Sequence, residues 1–288
     1  MTDPKTHTLE VPGATLTYDV REAEASDKPI LLLIGSPMDA GGFGTLSGHF
    51  SDRTVVTYDP RGVERSIRTD KARESTPELH AEDLSRLITE IGGPVDIFAS
   101  SGGAVNGLAL VTAHPEQVRT LVAHEPPAAQ NLPDRENALA AVMDIRETYE
   151  RDGIGPGMAK FIAIVSHKGE IPADFFTNQP PADPATFGLP TEDDGNRDDV
   201  LLAQNLVTCT HYNLDFNALR AAPTRIVVGI GVEAEGELAR RSAEAVAERL
   251  GLQPVVFPGG HDGFLGGEYG MTGDPDAFAA KLHEVLDD

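Results

Sequence analysis

Apolar and polar residues alternate over positions 7–11 and 14–20, on either side of Pro12 and Gly13, which predicts an opening antiparallel hairpin. Beyond it the pattern changes to short continuous apolar runs at 30–34, 55–58, 95–99 and 120–123. Runs of that length predict strands buried on both faces, as a parallel sheet requires. Between them, residues 76–91 carry Leu79, Leu84, Leu87, Ile88 and Ile91 at helical spacing, and 102–113 predict a second, more apolar helix that ends near Pro115. The alternation resumes late, with strands at 225–230 and 254–257 and helices at 237–250 and 275–286. Strands and helices in this order imply right-handed crossovers and an α/β fold, a mostly parallel central sheet flanked by helices.

The alternation is interrupted between residues 126 and 215. Helical patterns occur there at 135–151, 156–165 and 198–209, joined by a Pro-rich connector at 171–190. So short a segment with so irregular a centre would struggle to hold a core of its own as an independent domain. The expected organisation is therefore one core domain made of residues 1–125 and 216–288, with 126–215 inserted as a helical lid.

A chain of 288 residues that is 40% hydrophobic can bury a substantial core. The longest apolar stretch near the N-terminus, 30–34, is far too short to span a bilayer, and residues 1–8 are polar rather than signal-like, so a cytoplasmic location is expected. The one cysteine, Cys209, cannot form an internal disulfide and lies in an apolar run, as a packing thiol would. With 46 acidic and 23 basic side chains the formal charge is −23, which repels nucleic acid and anionic membranes. The expected partner is a small-molecule substrate, with no nucleic acid and no membrane; the oligomeric state is left open, a homo-oligomer included. Gly35, Gly41, Gly42 and Gly44 do not form G-x-G-x-x-G at a strand-to-helix turn, so no dinucleotide is expected, nor any other cofactor or metal.

Two segments carry candidate chemistry. Strand 95–99 runs through Ala99-Ser100-Ser101-Gly102-Gly103-Ala104 directly into a helix, the setting of a nucleophile on a tight turn. Ser101 sits at its apex; registering the turn on Ser100 would put Phe98 where a small residue is needed. The amide of Gly102, at the positive end of the following helix, could stabilise a developing oxyanion. Near the C-terminus, Phe257-Pro258-Gly259-Gly260-His261-Asp262-Gly263-Phe264 places His261 on a glycine-lined loop after the last strand, where an imidazole can serve as general base.

These segments resemble the α/β-hydrolase family. Ala99 to Gly103 is similar to its G-x-S-x-G elbow, with Ala99 in place of the first glycine. Ile34-Gly35-Ser36-Pro37 resembles the family's His-Gly-x-Pro, with Ile34 in place of histidine. Tyr58-Asp59-Pro60-Arg61-Gly62-Val63-Glu64-Arg65-Ser66 resembles its Y-D-x-R-G-x-G-x-S scaffold stretch, in which Asp59 and Arg61 read as a structural ion pair. Segments 80–91, 124–127, 146–153 and 225–264 further resemble a group of uncharacterised bacterial α/β-hydrolases, so the likeness covers nearly the whole chain.

The resemblance implies a serine hydrolase acting on an ester, thioester or lactone through an acyl-enzyme. It implies Ser101 as nucleophile, His261 as base, and the Ser36 and Gly102 amides as the oxyanion hole. A triad carboxylate is expected after the strand that ends at Ile230, where Glu233 fits best and Glu235 and Glu237 lie nearby; Glu125, ending the strand before the lid, is the rival. Asp262 is too close to His261 in sequence, and His124 reads as a partner of Glu125 or a core histidine. Carbon–carbon bond hydrolysis and perhydrolysis stay open on the same triad. A non-catalytic, ligand-binding member of the fold is the alternative of a different class. Met143, Met158, Phe161, Phe175 and Phe176 read either as the lining of an acyl pocket or as packing.

Overall fold

Leu31, Leu32, Leu33 and Ile34 are successive residues with no solvent exposure, because helices cover both faces of the sheet they run through. The computed structural model describes residues 3–288. Its strands are β1 (Lys5–Val11), β2 (Ala14–Arg21), β3 (Leu31–Ile34), β4 (Val55–Asp59), β5 (Ile67–Arg68), β6 (Val95–Ser100), β7 (Val118–His124), β8 (Arg225–Gly231) and β9 (Val255–Phe257). They form one sheet in the order β1-β2-β4-β3-β6-β7-β8-β9, with the short β5 beside β2. The β1–β2 hairpin and the β2–β4 pair are antiparallel; every pairing from β4 to β9 is parallel.

The helices are α1 (Gly44–Gly48), α2 (Pro77–Ile91), α3 (Gly102–Ala113), α4 (Arg135–Asp152), α5 (Ile154–Val165), α6 (Phe175–Asn178), α7 (Leu206–Thr210), α8 (Phe216–Ala221), α9 (Leu238–Leu250) and α10 (Pro275–Asp287). Because strand side chains point alternately to opposite faces, the apolar runs divide cleanly. Leu32, Ile34, Ile97, Leu121 and Val228 pack with α2, α3, α8 and α9. Leu31, Leu33, Phe98, Val122 and Val227 pack on the other face with Leu46 of α1 and with Phe278, Leu282 and Val285 of α10. Each such side chain contributes about 1.5–3 kcal/mol when taken from water. The six parallel strands and four long helices read from the sequence are present, with ends shifted by one or two residues. Among the described residues no helix is long and apolar enough to cross a membrane.

Residues 126–215 carry α4 to α7, with a mostly irregular stretch at 166–199, and their buried side chains make a third cluster around Val142, Ile145, Tyr149 and Leu202, joined to the rest by Leu238 of α9. One element differs from expectation. Residues 198–209 do not form a continuous α-helix: residues 200–205 form a π-turn that precedes α7. Asp199 caps it by accepting from the Leu201 and Leu202 amides, at 3.0 and 2.7 Å. The Asn205 side chain then donates to the Val200 carbonyl at 2.6 Å, occupying an acceptor that a regular helix would use for its backbone.

The expected Asp59–Arg61 pair is also corrected. Asp59 ends β4 and is held by Arg65 Nε at 2.7 Å and by the Ala40 amide at 2.9 Å. Arg61 turns beneath α2 instead, where its Nε and Nη2 reach the two Asp83 oxygens at 2.8 and 2.7 Å and its Nη1 reaches Asp70 at 2.8 Å. Arg61 and Asp83 are both buried, so deleting one member strands the other's charge. Arg61→Met is expected to lower stability to urea by about 3–5 kcal/mol, with most of the loss recovered in Arg61→Met/Asp83→Leu. A similar loss in both variants would rule out the ion pair as its source.

Candidate functional site

Ser101 lies between the last residue of β6 and the first of α3 with φ 56° and ψ −128°, a conformation unusual for any residue but glycine. Such a residue costs about 1–3 kcal/mol and persists only where its surroundings over-determine it. Here they do: β6 and α3 are buried almost throughout, and the Ser101 amide donates to the His124 carbonyl of β7 at 3.0 Å. The turn brings α3 so close to β3 that a Cβ on Gly103 would stand 2.6 Å from the Ile34 carbonyl oxygen. Ala99, which takes the place of the motif's first glycine, is fully buried between Ile34 and Ala123 in the sheet. Gly102 opens α3, so its N–H has no acceptor within the helix. Ser36 is buried on the loop after β3.

His261 is reached from β9 by a loop that leans back across the end of β8. Gly231 permits this: a Cβ there would stand 2.6 Å from the Gly260 carbonyl oxygen. The loop carries the imidazole past β8 to β7, where His261 Nδ1 and Glu125 Oε2 are 2.7 Å apart. Glu125 has φ 47° and no exposure, and its Oε1 accepts from the Gly231 amide at 2.8 Å.

The carboxylate brought to the imidazole is therefore that of Glu125, not Glu233. Glu233 lies beyond the point that the loop crosses; its backbone amide bonds to the Gly259 carbonyl while its side chain stays exposed at the cavity wall. Glu235 is exposed and Glu237 faces Lys168 at 3.8 Å. The signal for Glu125 was an acid at a strand end, but choosing it required the neighbour order β6-β7-β8.

Burial works against charge on Glu125, yet the hydrogen bond from His261, neighbouring imidazole charge and the Gly231 amide together hold its carboxyl below the usual range. Desolvation likewise lowers His261, but the Glu125 bond and charge outweigh it and raise the imidazole above its ordinary value. His124 is a core histidine: its ring is buried among Phe98, Phe257, Phe264 and Phe278, with centroids 5.3–6.4 Å away. That burial pushes it down to about 4, which keeps it neutral near pH 7.

Ser36, Ser101, Gly102 and His261 all line one cavity of about 680 Å³. Residues 126–215 supply apolar wall, including Val142, Phe161, Ile164 and Leu206. Of the five side chains considered for an acyl pocket, only Phe161 lines it. Phe175 and Phe176 are buried in the helical cluster, Met158 packs against that cluster, and Met143 is 38% exposed to solvent. Cys209 is buried, as expected, and also touches the cavity; burial pushes its thiol up to about 12, so it stays protonated. Asn205, which the sequence offered only as one polar residue in a helical stretch, also lines the cavity.

No model of a known protein family matches the chain. It is 31% identical over 289 residues to the uncharacterized hydrolase YraK of Bacillus subtilis (strain 168), a match covering 97% of this chain and 95% of that protein. In structure it is similar to a thermophilic esterase from Thermogutta terrifontis solved with malate bound, with a TM-score of 0.66 at 18% identity over 99% of this chain and 98% of that one. The enol-lactonase from Burkholderia xenovorans LB400 gives 0.66 at 15% identity over 98% and 100%. The carboxylesterase CesB (YbfK) from Bacillus subtilis gives 0.64 at 16% over 99% and 92%. At these identities the structural likeness is one of fold.

The charges of the pair set a pH window. Glu125, lowered, stabilises the fold above its unfolded value and ceases to as pH falls through its folded value; His261, raised, stabilises below its unfolded value and ceases to as pH rises through its folded one. NMR titration of the His261 ring should give a midpoint above the ordinary histidine value, falling in Glu125→Gln. An unchanged midpoint in that variant would show that Glu125 does not hold the imidazole in solution.

Proposed function

Because the chain belongs to the α/β-hydrolase family, we propose that it is a serine hydrolase of small-molecule esters, thioesters or lactones, working through Ser101, His261 and Glu125. The observation that carries this is the 2.7 Å contact between a buried carboxylate and His261, whose ring lines a cavity that also holds a serine on a strained strand-to-helix turn. Glu125 accepts from Nδ1–H and so fixes the tautomer whose Nε2 is free to take a proton.

His261 Nε2 removes the Ser101 hydroxyl proton as Oγ bonds to the substrate carbonyl carbon. The carbonyl electrons move to oxygen, and the Ser36 and Gly102 amides stabilise the oxyanion. Collapse breaks the bond to the leaving group, which departs with the proton from His261. Water then gives a proton to His261, attacks the acyl-enzyme and releases the acid, and the proton returns to Ser101. Residues 126–215 act as the lid.

The cavity also suggests which substrates enter. Its walls are mostly apolar, its carboxylates are Glu233, Glu237 and Asp262, and no lysine or arginine lines it. A substrate bearing its own carboxylate would lose water without gaining a lysine or arginine partner and would face the wall carboxylates, which is costly in a partly dry site. Neutral acyl and leaving groups are therefore preferred.

Intact mass after fluorophosphonate treatment should show one adduct, on Ser101, in the wild type and none in Ser101→Ala or His261→Ala. An unlabelled, folded wild type would sink the hydrolase mechanism. With p-nitrophenyl butyrate and the p-nitrophenyl half-ester of glutarate compared at equal concentration, kcat/KM should favour the neutral ester by about tenfold or more, one unpaired buried interaction. Equal values would remove charge from the account of specificity.

A further inference from the structure

A chain of buried side-chain contacts joins the loop after β3 to the π-turn and to α2. Ser36 Oγ lies 3.3 Å from Asn205 Oδ1, and His80 Nε2 lies 2.8 Å from the same oxygen. Ser36, His80 and Asn205 are between 1% and 6% exposed. The orientation of the Asn205 amide is set by its third contact. Its other terminal atom faces the Val200 carbonyl at 2.6 Å, and a carbonyl can only accept, so the nitrogen points there and the oxygen toward Ser36 and His80. Asn205 Oδ1 then receives two donors, the Ser36 hydroxyl and the His80 Nε2–H.

The π-turn that carries Asn205 is itself fastened to the core. The Gln204 carbonyl accepts from the Ser75 amide at 2.9 Å, Gln204 Oε1 accepts from Arg68 at 2.7 Å, and Thr208 donates to the Ser75 carbonyl at 2.6 Å. Residue 34, next but one to Ser36, is an isoleucine buried in the apolar core and gives the loop no polar support. Asn205 is the side chain from outside the loop that holds the Ser36 hydroxyl.

We propose that Asn205, braced by His80, is a positioning residue that holds Ser36 so that its backbone N–H faces the reacting oxygen, making oxyanion stabilisation depend on a residue of the 126–215 segment. This rests on the serine-hydrolase reading above. An amide hydrogen bond to an oxyanion is worth far more in the transition state than in the bound substrate, and it is lost steeply with misalignment. Loosening Ser36 should therefore slow turnover more than it weakens binding.

The test uses the full chain with p-nitrophenyl butyrate, after fluorophosphonate labelling of Ser101 has been established in the wild type. Ser36→Ala and Asn205→Ala are each expected to lower kcat by about tenfold, a fraction of what loss of a whole oxyanion donor costs, with KM changed less than about twofold. The double variant should be no slower than Asn205→Ala alone, since both act through one contact. Ser36→Thr, which keeps the hydroxyl, should restore most of kcat. Far-UV circular dichroism and thermal melting establish folding; if Asn205→Ala does not fold, the Ser36→Ala and Ser36→Thr pair decides.

An unchanged kcat in folded Asn205→Ala, a loss in Ser36→Ala that Ser36→Thr does not restore, or losses that multiply in the double variant would each overturn the positioning role. A wild type that neither labels nor turns over would instead overturn the hydrolase reading, and the role of Asn205 with it.

Discussion

A carboxylate with no access to water is expensive unless each of its oxygens is used, and the end of this molecule that carries the candidate site is organised around meeting that demand at Glu125. One oxygen takes the Gly231 amide from the neighbouring strand; the other takes the His261 imidazole from a loop two strands further along the chain. Satisfying the charge thus ties the ends of β7 and β8 to the loop beyond β9. Ser101 is drawn into the same knot, because its amide bonds to His124, the residue immediately before Glu125. The strained turn at Ser101 and the strained backbone at Glu125 are the conformational cost of putting a hydroxyl and a carboxylate at adjacent strand ends, offset by the buried strands and helices behind them.

The sequence singles out Ser101 and His261 because each is marked locally, by a strand running into a helix through small residues and by a glycine-lined loop after a terminal strand, and the structure brings both to one cavity. The carboxylate that meets His261 was not legible in the same way. Glu233 and Glu125 both follow strands, and distinguishing them requires the path of the 259–261 loop, which depends on Gly231 having no side chain. The same limit applies to Arg61, whose partners lie 9 and 22 residues away rather than at Asp59. Sheet layers were legible because a two-sided apolar strand needs no partner to be named. The π-turn was not, since the side-chain bond from Asn205 to the Val200 carbonyl that accompanies it leaves no mark in an otherwise helical pattern.

The division of labour between the two parts of the chain is uneven. Ser101, Glu125 and His261 all stand on the sheet core, whereas much of the cavity wall comes from residues 126–215. Substitutions in that segment can therefore reshape what enters without disturbing the reacting groups. Asn205 is where this independence ends: a segment exchanged for one from a relative would have to bring an equivalent carbonyl oxygen to Ser36.

The asymmetry of burial in the His261–Glu125 pair has a consequence for proton traffic. Glu125 is sealed from solvent, while His261 lies at the cavity wall with its side chain partly exposed. The pair is thus a store with a single port. Every proton that enters or leaves must pass through the face of the imidazole that lines the cavity. Were Ser101 to act as proposed, the proton it gave up would have no route to bulk water behind the ring and would stay at the cavity face, where a leaving group could take it.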